Sequence, residues 1–163
     1  MAKMVTTAEI AVCLDSAQQL GCVGLVMALD SMLEESLDFF LRPKLPKDKA
    51  IFAQAHRPFQ DPKSEHWRLV KVFLLFKRNA EEKGDRTLGN QWCRQNRVVF
   101  SKLKAALRYF DRLQLGCTKI NWGVSEDQLA SPGVQDRKTF LKALLKGNFM
   151  QVAHRKIEFT RGS

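Results

Sequence analysis

Arg94, Arg97, Ser101, Lys104, Arg108 and Arg112 recur at intervals of three and four residues. On a helix running from Asn90 to Leu115 they share one face, and Trp92, Val99, Leu103, Ala106, Leu107 and Phe110 share the other. Such a helix docks its apolar stripe on a core and turns guanidinium and ammonium groups toward something anionic. These groups hold phosphates with little regard to base identity. Arg94, Arg97, Lys104 and Arg108 are the candidate contacts if that partner is a nucleic acid. Ordinary ion pairing competes with that role: Arg94 has the reach to pin an adjoining loop through a carboxylate, and Arg112 lies beside Asp111. Trp92 is on the apolar face, which makes it a core residue before it is a stacking platform for bases.

Hydrolytic chemistry is not written in this chain. None of its nine glycines belongs to a G-x-x-x-x-G-K-[ST] phosphate loop or a G-x-S-x-G elbow. His56, His66 and His154 are well separated and stand at no catalytic spacing from an acid or nucleophile. His66, next to a helix start, suits a structural hydrogen bond, and Glu34 and Glu35 suit a solvated face. The cysteines at 13, 22, 93 and 117 form no C-x-x-C pair and no zinc-spaced cluster, so buried, reduced thiols in an intracellular protein are expected and no metal site is. The longest apolar run, Cys22 to Leu29, is too short to span a bilayer.

The elements that must position the basic stripe read as helices throughout. Thr6-x-x-Glu9 is a capping box for a first helix ending near Leu20-Gly21. Leu25, Leu29, Leu33, Leu37 and Phe40 predict a second from Cys22 to Leu41, stopped by Arg42-Pro43. A proline- and lysine-punctuated connection covers residues 43–63, with a short helix from Lys49 to Gln54 inside it. Ser64 caps a third long helix whose apolar face is Leu69, Val72, Phe73 and Phe76, broken at Gly84-Asp85. The basic-faced helix follows, then Ser131-Pro132-Gly133, then a helix from Asp136 to Lys146 closed by Gly147. Residues 149–159 alternate weakly, as a strand would.

The chain of 163 residues carries 27 Lys/Arg against 17 Asp/Glu, a net charge of +10, and is 45% hydrophobic. It is long enough for one domain with a substantial core, or for two very small ones. Residues 1–62 hold 6 Lys/Arg and 8 Asp/Glu, so the remaining 21 and 9 give residues 63–163 a net charge of +12. That asymmetry fits a phosphate backbone as partner. A merely soluble basic surface explains it equally well.

The order of local signals adds a resemblance. Leu20-Gly21-Cys22 precedes an apolar helix that closes in Phe40-Leu41-Arg42-Pro43-Lys44. Ala50-Ile51-Phe52-Ala53 and His56-Arg57-Pro58 follow. Ser64-Glu65-His66 then leads into Leu69-Val70-Lys71-Val72-Phe73, and Gln91-Trp92-Cys93-Arg94-Gln95-Asn96 comes next. Lys142-Ala143-Leu144-Leu145-Lys146-Gly147-Asn148-Phe149 and Val152-Ala153 complete the series. Over about residues 15–155 it resembles the helicase-associated region of DEAH-box RNA helicases. That family has an L-G-C helix, an F-x-R-P turn, an F-A-H-P…D-H-L segment, a W-C-x-x-[NH] helix and a K-A-[LI]-x-x-G-F-F close. Here Arg97 follows Asn96 where the family has an aromatic, and Trp67 replaces a leucine.

The resemblance implies an all-α helical bundle of the ratchet type over residues 21–153. It implies the end of a winged-helix segment over 1–20 and the start of an OB-fold strand over 154–163. The RecA-like ATPase domains, with the ATP and magnesium they bind in the full-length family, would lie before residue 1; no cofactor is expected in this chain, and no ATP hydrolysis by it. The implied role is to line the channel for single-stranded RNA and couple RNA movement to those domains. The implied partners are RNA, the RecA-like domains and glycine-patch cofactor proteins, with no membrane. A non-catalytic protein-interaction module binding helicase cofactors, or a truncated gene product, is the alternative. Nuclear and cytoplasmic locations are not separated by anything in the sequence.

Overall fold

A computed structural model describes residues 7–34, 39–61, 64–83 and 86–146. These residues are all-α. They form α1 (Thr7–Leu20), α2 (Val23–Glu34), α3 (Pro46–His56), α4 (Glu65–Lys83), α5 (Arg86–Gln95), α6 (Phe100–Lys119), α7 (Glu126–Ala130) and α8 (Val134–Lys146), with a 3₁₀ turn at Arg57–Phe59. No helix among them is long and apolar enough to cross a membrane.

The bundle is built around α2. Its sequence, VGLVMALDSMLE, is apolar on every side, and every residue from Val23 to Leu33 is buried. A helix without a polar face has to sit inside. It packs against α1, α4 and α6, while α8 covers α1 and α5 lies on α4. Gly24 permits a close approach, because a Cβ there would stand 3.0 Å from Val124 Cγ1 and Leu129 Cδ2. The polar residues within α2 are accommodated: Ser31 Oγ donates to the Met27 carbonyl at 2.8 Å, and Tyr109 donates to Asp30 at 3.4 Å. Phe73 of α4 meets Phe110 of α6 at 5.2 Å, and Trp67 meets Phe140 of α8 at 5.3 Å, which closes the core.

Local chemistry explains the helix ends. Ser64 Oγ accepts from the Trp67 amide at 3.1 Å, and Pro46 occupies the first turn of α3, where a missing N–H costs nothing. Asp136 accepts from the Gly133 amide at 2.7 Å, tying off the start of α8 two residues earlier than the sequence predicts. α7, which sequence periodicity does not reveal, is capped by Ser125. α1, α5 and α6 end in one pattern: a left-handed residue follows the helix, and two backward hydrogen bonds close the last turn. Those residues are Gly21 (φ 75), Arg97 (φ 56) and Asn121 (φ 59). At Arg97 the bonds run from its own amide to the Arg94 carbonyl and from the Val98 amide to the Cys93 carbonyl, with Cys93 and Val98 both buried beneath.

Two predicted helices are corrected. The single helix from Asn90 to Leu115 is two, because α5 stops at Gln95 and α6 starts at Phe100. Residues 97–99 pair instead with Phe39–Leu41, through an antiparallel bridge between Phe40 and Val98. The Leu41 amide donates to Arg97 at 2.9 Å and the Val99 amide to Phe39 at 2.7 Å. The helix expected to reach Leu41 ends, as described, at Glu34, and Phe40 belongs to that bridge. Each backbone segment satisfies the other, a long-range choice that helical periodicity cannot register. The helix predicted from Lys49 to Gln54 is longer, Pro46–His56. The capping box on Thr6, the Gly84-Asp85 break, the Gly147 stop and the weak strand at 149–159 lie outside the described residues.

Candidate nucleic-acid interface

The break at Arg97 divides the expected basic stripe. Arg94 is exposed in the last turn of α5, and Arg97 is exposed in the turn itself. Lys104 and Arg108 stand one turn apart on α6; Arg108 is exposed, and half-buried Lys104 holds its Nζ 6.0 Å from the Phe100 ring. The structure therefore places Arg94 and Arg97 at the end of α5 and in the turn after it, and Lys104 and Arg108 on α6. None of the four is ion-paired with another described residue. The expected apolar face holds on α6, where Leu103, Ala106 and Phe110 are buried. Trp92 is half-buried, 6.2 Å from the Phe59 ring and 6.1 Å from Phe76, so it packs as a core residue.

A buried histidine fixes the turn. His56, 1% exposed at the end of α3, has its Nε2 3.3 Å from the Arg97 carbonyl and its Nδ1 3.0 Å from Arg68 Nη2. A guanidinium only donates, so Nδ1 accepts and Nε2 carries the proton that goes to Arg97. The neutral ring stacks on Phe52 at 4.0 Å and meets the edges of Phe40 at 4.8 Å and Phe59 at 5.8 Å. Burial pushes its pKa below the usual histidine value. The Arg68 cation acts in the same direction, and the bond to the Arg97 carbonyl opposes them. Arg68 lies over Phe40 at 4.4 Å and pairs with Glu65 at 3.5 Å. A ring so enclosed orders backbone; it does not meet substrate. His66 is likewise buried, in the first turn of α4.

Sequence reasoning did not place Arg42 and Arg57 at this interface. Each is exposed, and each follows a residue that donates to the Arg97 carbonyl, Leu41 and His56 respectively. No local spacing links positions 42, 57 and 97. The one trace is that Arg-Pro occurs at both 42–43 and 57–58.

Elsewhere, a groove of about 420 Å³ runs between α4 and the loop entering α8, with Trp67, Leu74 and Val134 beside Lys71 and Arg78. Asp61 and Arg137 close one side of it through paired bonds of 2.8 and 3.0 Å. The cysteines are unbridged and buried, and burial pushes the thiols of Cys93 and Cys22 up to about 12 and about 11. They are packing groups, not nucleophiles. Among the described residues no group of His, Cys, Asp and Glu is arranged to hold a metal ion. No protein-family model matches the chain.

Proposed function

We propose that this chain is the helical ratchet-type region of a DEAH-box RNA helicase, holding single-stranded RNA by its phosphates beside ATPase domains that this sequence does not encode. On this reading residues 1–20 close a winged-helix segment and 154–163 open an OB-fold strand. The observation that carries the reading is where the resembling motifs fall. Leu20-Gly21-Cys22 forms the cap between α1 and α2, His56 orders the Arg97 turn, Ser64 caps α4, and Trp92-Cys93 packs beneath the basic turn. The motifs are thus the joints of the bundle, and Arg94, Arg97 and Arg108 stand exposed on its surface with Lys104 beside them.

Such groups supply affinity for a backbone without reading bases. Fluorescence anisotropy with single-stranded RNA over a salt series tests this. The logarithm of the affinity should fall linearly with the logarithm of salt, and binding that is absent or indifferent to salt refutes it. RNA-stimulated ATP hydrolysis by the pure chain would contradict the assignment of ATPase work to other domains. A second reading, a protein-docking module, is favoured by the exposure of Leu41, Leu45 and Ile51 around α3. Recovery of the same protein partners after nuclease treatment would support it.

A further inference from the structure

The Arg97 carbonyl receives two long-range hydrogen bonds, from the Leu41 amide at 2.9 Å and from His56 Nε2 at 3.3 Å. Those two bonds bring three remote segments to one point. Arg42 extends from the first, Arg57 from the second, and Arg94 and Arg97 from the third. All four side chains are exposed, and none is ion-paired with another described residue. Glu65, which reaches this point through Arg68, is engaged by that guanidinium at 3.5 Å. Exposed like charges on segments joined at one carbonyl repel one another, and a polyanion relieves that repulsion. Arginine in particular offers a planar fork that matches a phosphate with two parallel bonds.

We infer that Arg42, Arg57, Arg94 and Arg97 form one phosphate clamp for single-stranded RNA, assembled on the Arg97 carbonyl and distinct from the Lys104–Arg108 pair on α6. The inference rests on the RNA-binding reading above and redraws its site: half of the clamp comes from residues more than thirty positions upstream of Arg94. Phe40 and Phe52 are half-buried against His56 and Arg68 and are not free to stack on bases. The clamp therefore grips backbone and shows no base preference.

The test measures binding of the full chain to a fluorescein-labelled oligouridylate and to an oligoglutamate of equal charge, by anisotropy across a salt series. The variants are R42Q/R57Q, R42K/R57K and a charge-matched control, K119Q/K146Q, at exposed positions ending α6 and α8. Thermal melts establish that each is folded. R42Q/R57Q should weaken oligouridylate binding roughly tenfold and flatten the salt slope by about 1.4, two phosphate contacts on a single strand at about 0.7 each. R42K/R57K should restore the slope and recover only part of the affinity, and the control should stay within about twofold of the unmodified chain. If R42Q/R57Q binds as the control does, the clamp is wrong although RNA binding stands. If the unmodified chain binds no RNA, both readings fall. If oligoglutamate binds as tightly as oligouridylate, the junction recognises acidic protein and the RNA assignment is overturned.

Discussion

Exchanging alanine for glycine should have opposite effects at Arg97 and Arg108. Arg97 sits at φ 56, where a side chain costs about 1 kcal/mol and glycine has no such penalty. Arg108 lies exposed within α6, where glycine is about 1 kcal/mol worse than alanine. R97G should thus be more stable than R97A by about 1 kcal/mol, and R108G less stable than R108A by a similar amount. Each comparison is between two neutral side chains, so the lost arginine charge cancels within the pair. For a chain of this length each difference amounts to roughly 2–4 °C in Tm, of opposite sign. Urea unfolding by circular dichroism reads it as displaced midpoints at a common slope. If R97G proved less stable than R97A, residue 97 would lie in continuous helix, and the separation of α5 from α6 would be wrong.

Three further outcomes follow from the packing. The folded state lowers the His56 pKa and so binds fewer protons there than the unfolded chain; its contribution is complete well above pH 6.5 and declines as pH falls below that value. Urea midpoints should therefore drop between pH 7.5 and 5.5, and His56→Gln should flatten that dependence. Phe110→Ala, which empties a fully buried site against Phe73, should cost about 3–5 kcal/mol by urea titration, and a cost under about 1 kcal/mol would contradict the core described here. Ellman's reagent at pH 8 should label native protein slowly and all four cysteines in denaturant, and rapid native labelling would contradict their burial.

What could be read from the sequence follows the range of the interactions involved. Ser64 and its helix were legible because a cap and a three-four apolar spacing are local. The stop at Leu20-Gly21 was legible because glycine advertises a left-handed residue. Arg97 adopts the same conformation without advertising it, since what holds it there is the distant Leu41 amide and the His56 ring. Periodicity carried straight across it and produced one basic stripe where there are two groups. Arg94, Arg97, Lys104 and Arg108 were legible as cations on solvent-facing positions; the company each keeps was not. Arg42 and Arg57 went unplaced for the same reason, as their proximity to Arg97 exists only after folding. α7 was too short for a period to show.

α3 packs chiefly against the 3₁₀ turn that follows it, and Leu45, Ala50, Ile51, Ala53 and Gln54 face solvent. Residues 42–56 are thus fastened chiefly at their two ends, by the Leu41–Arg97 backbone bond and by the His56 ring with the 3₁₀ turn that packs on α4. A segment held in this way should open without melting the bundle. The Leu41 amide should exchange with deuterium through that partial opening, at a free energy well below that of the buried amides of α2. Any anion held between Arg42 and Arg97 would brace the latch, so slower exchange at Leu41 would report occupancy directly, in a readout that needs no label on the ligand.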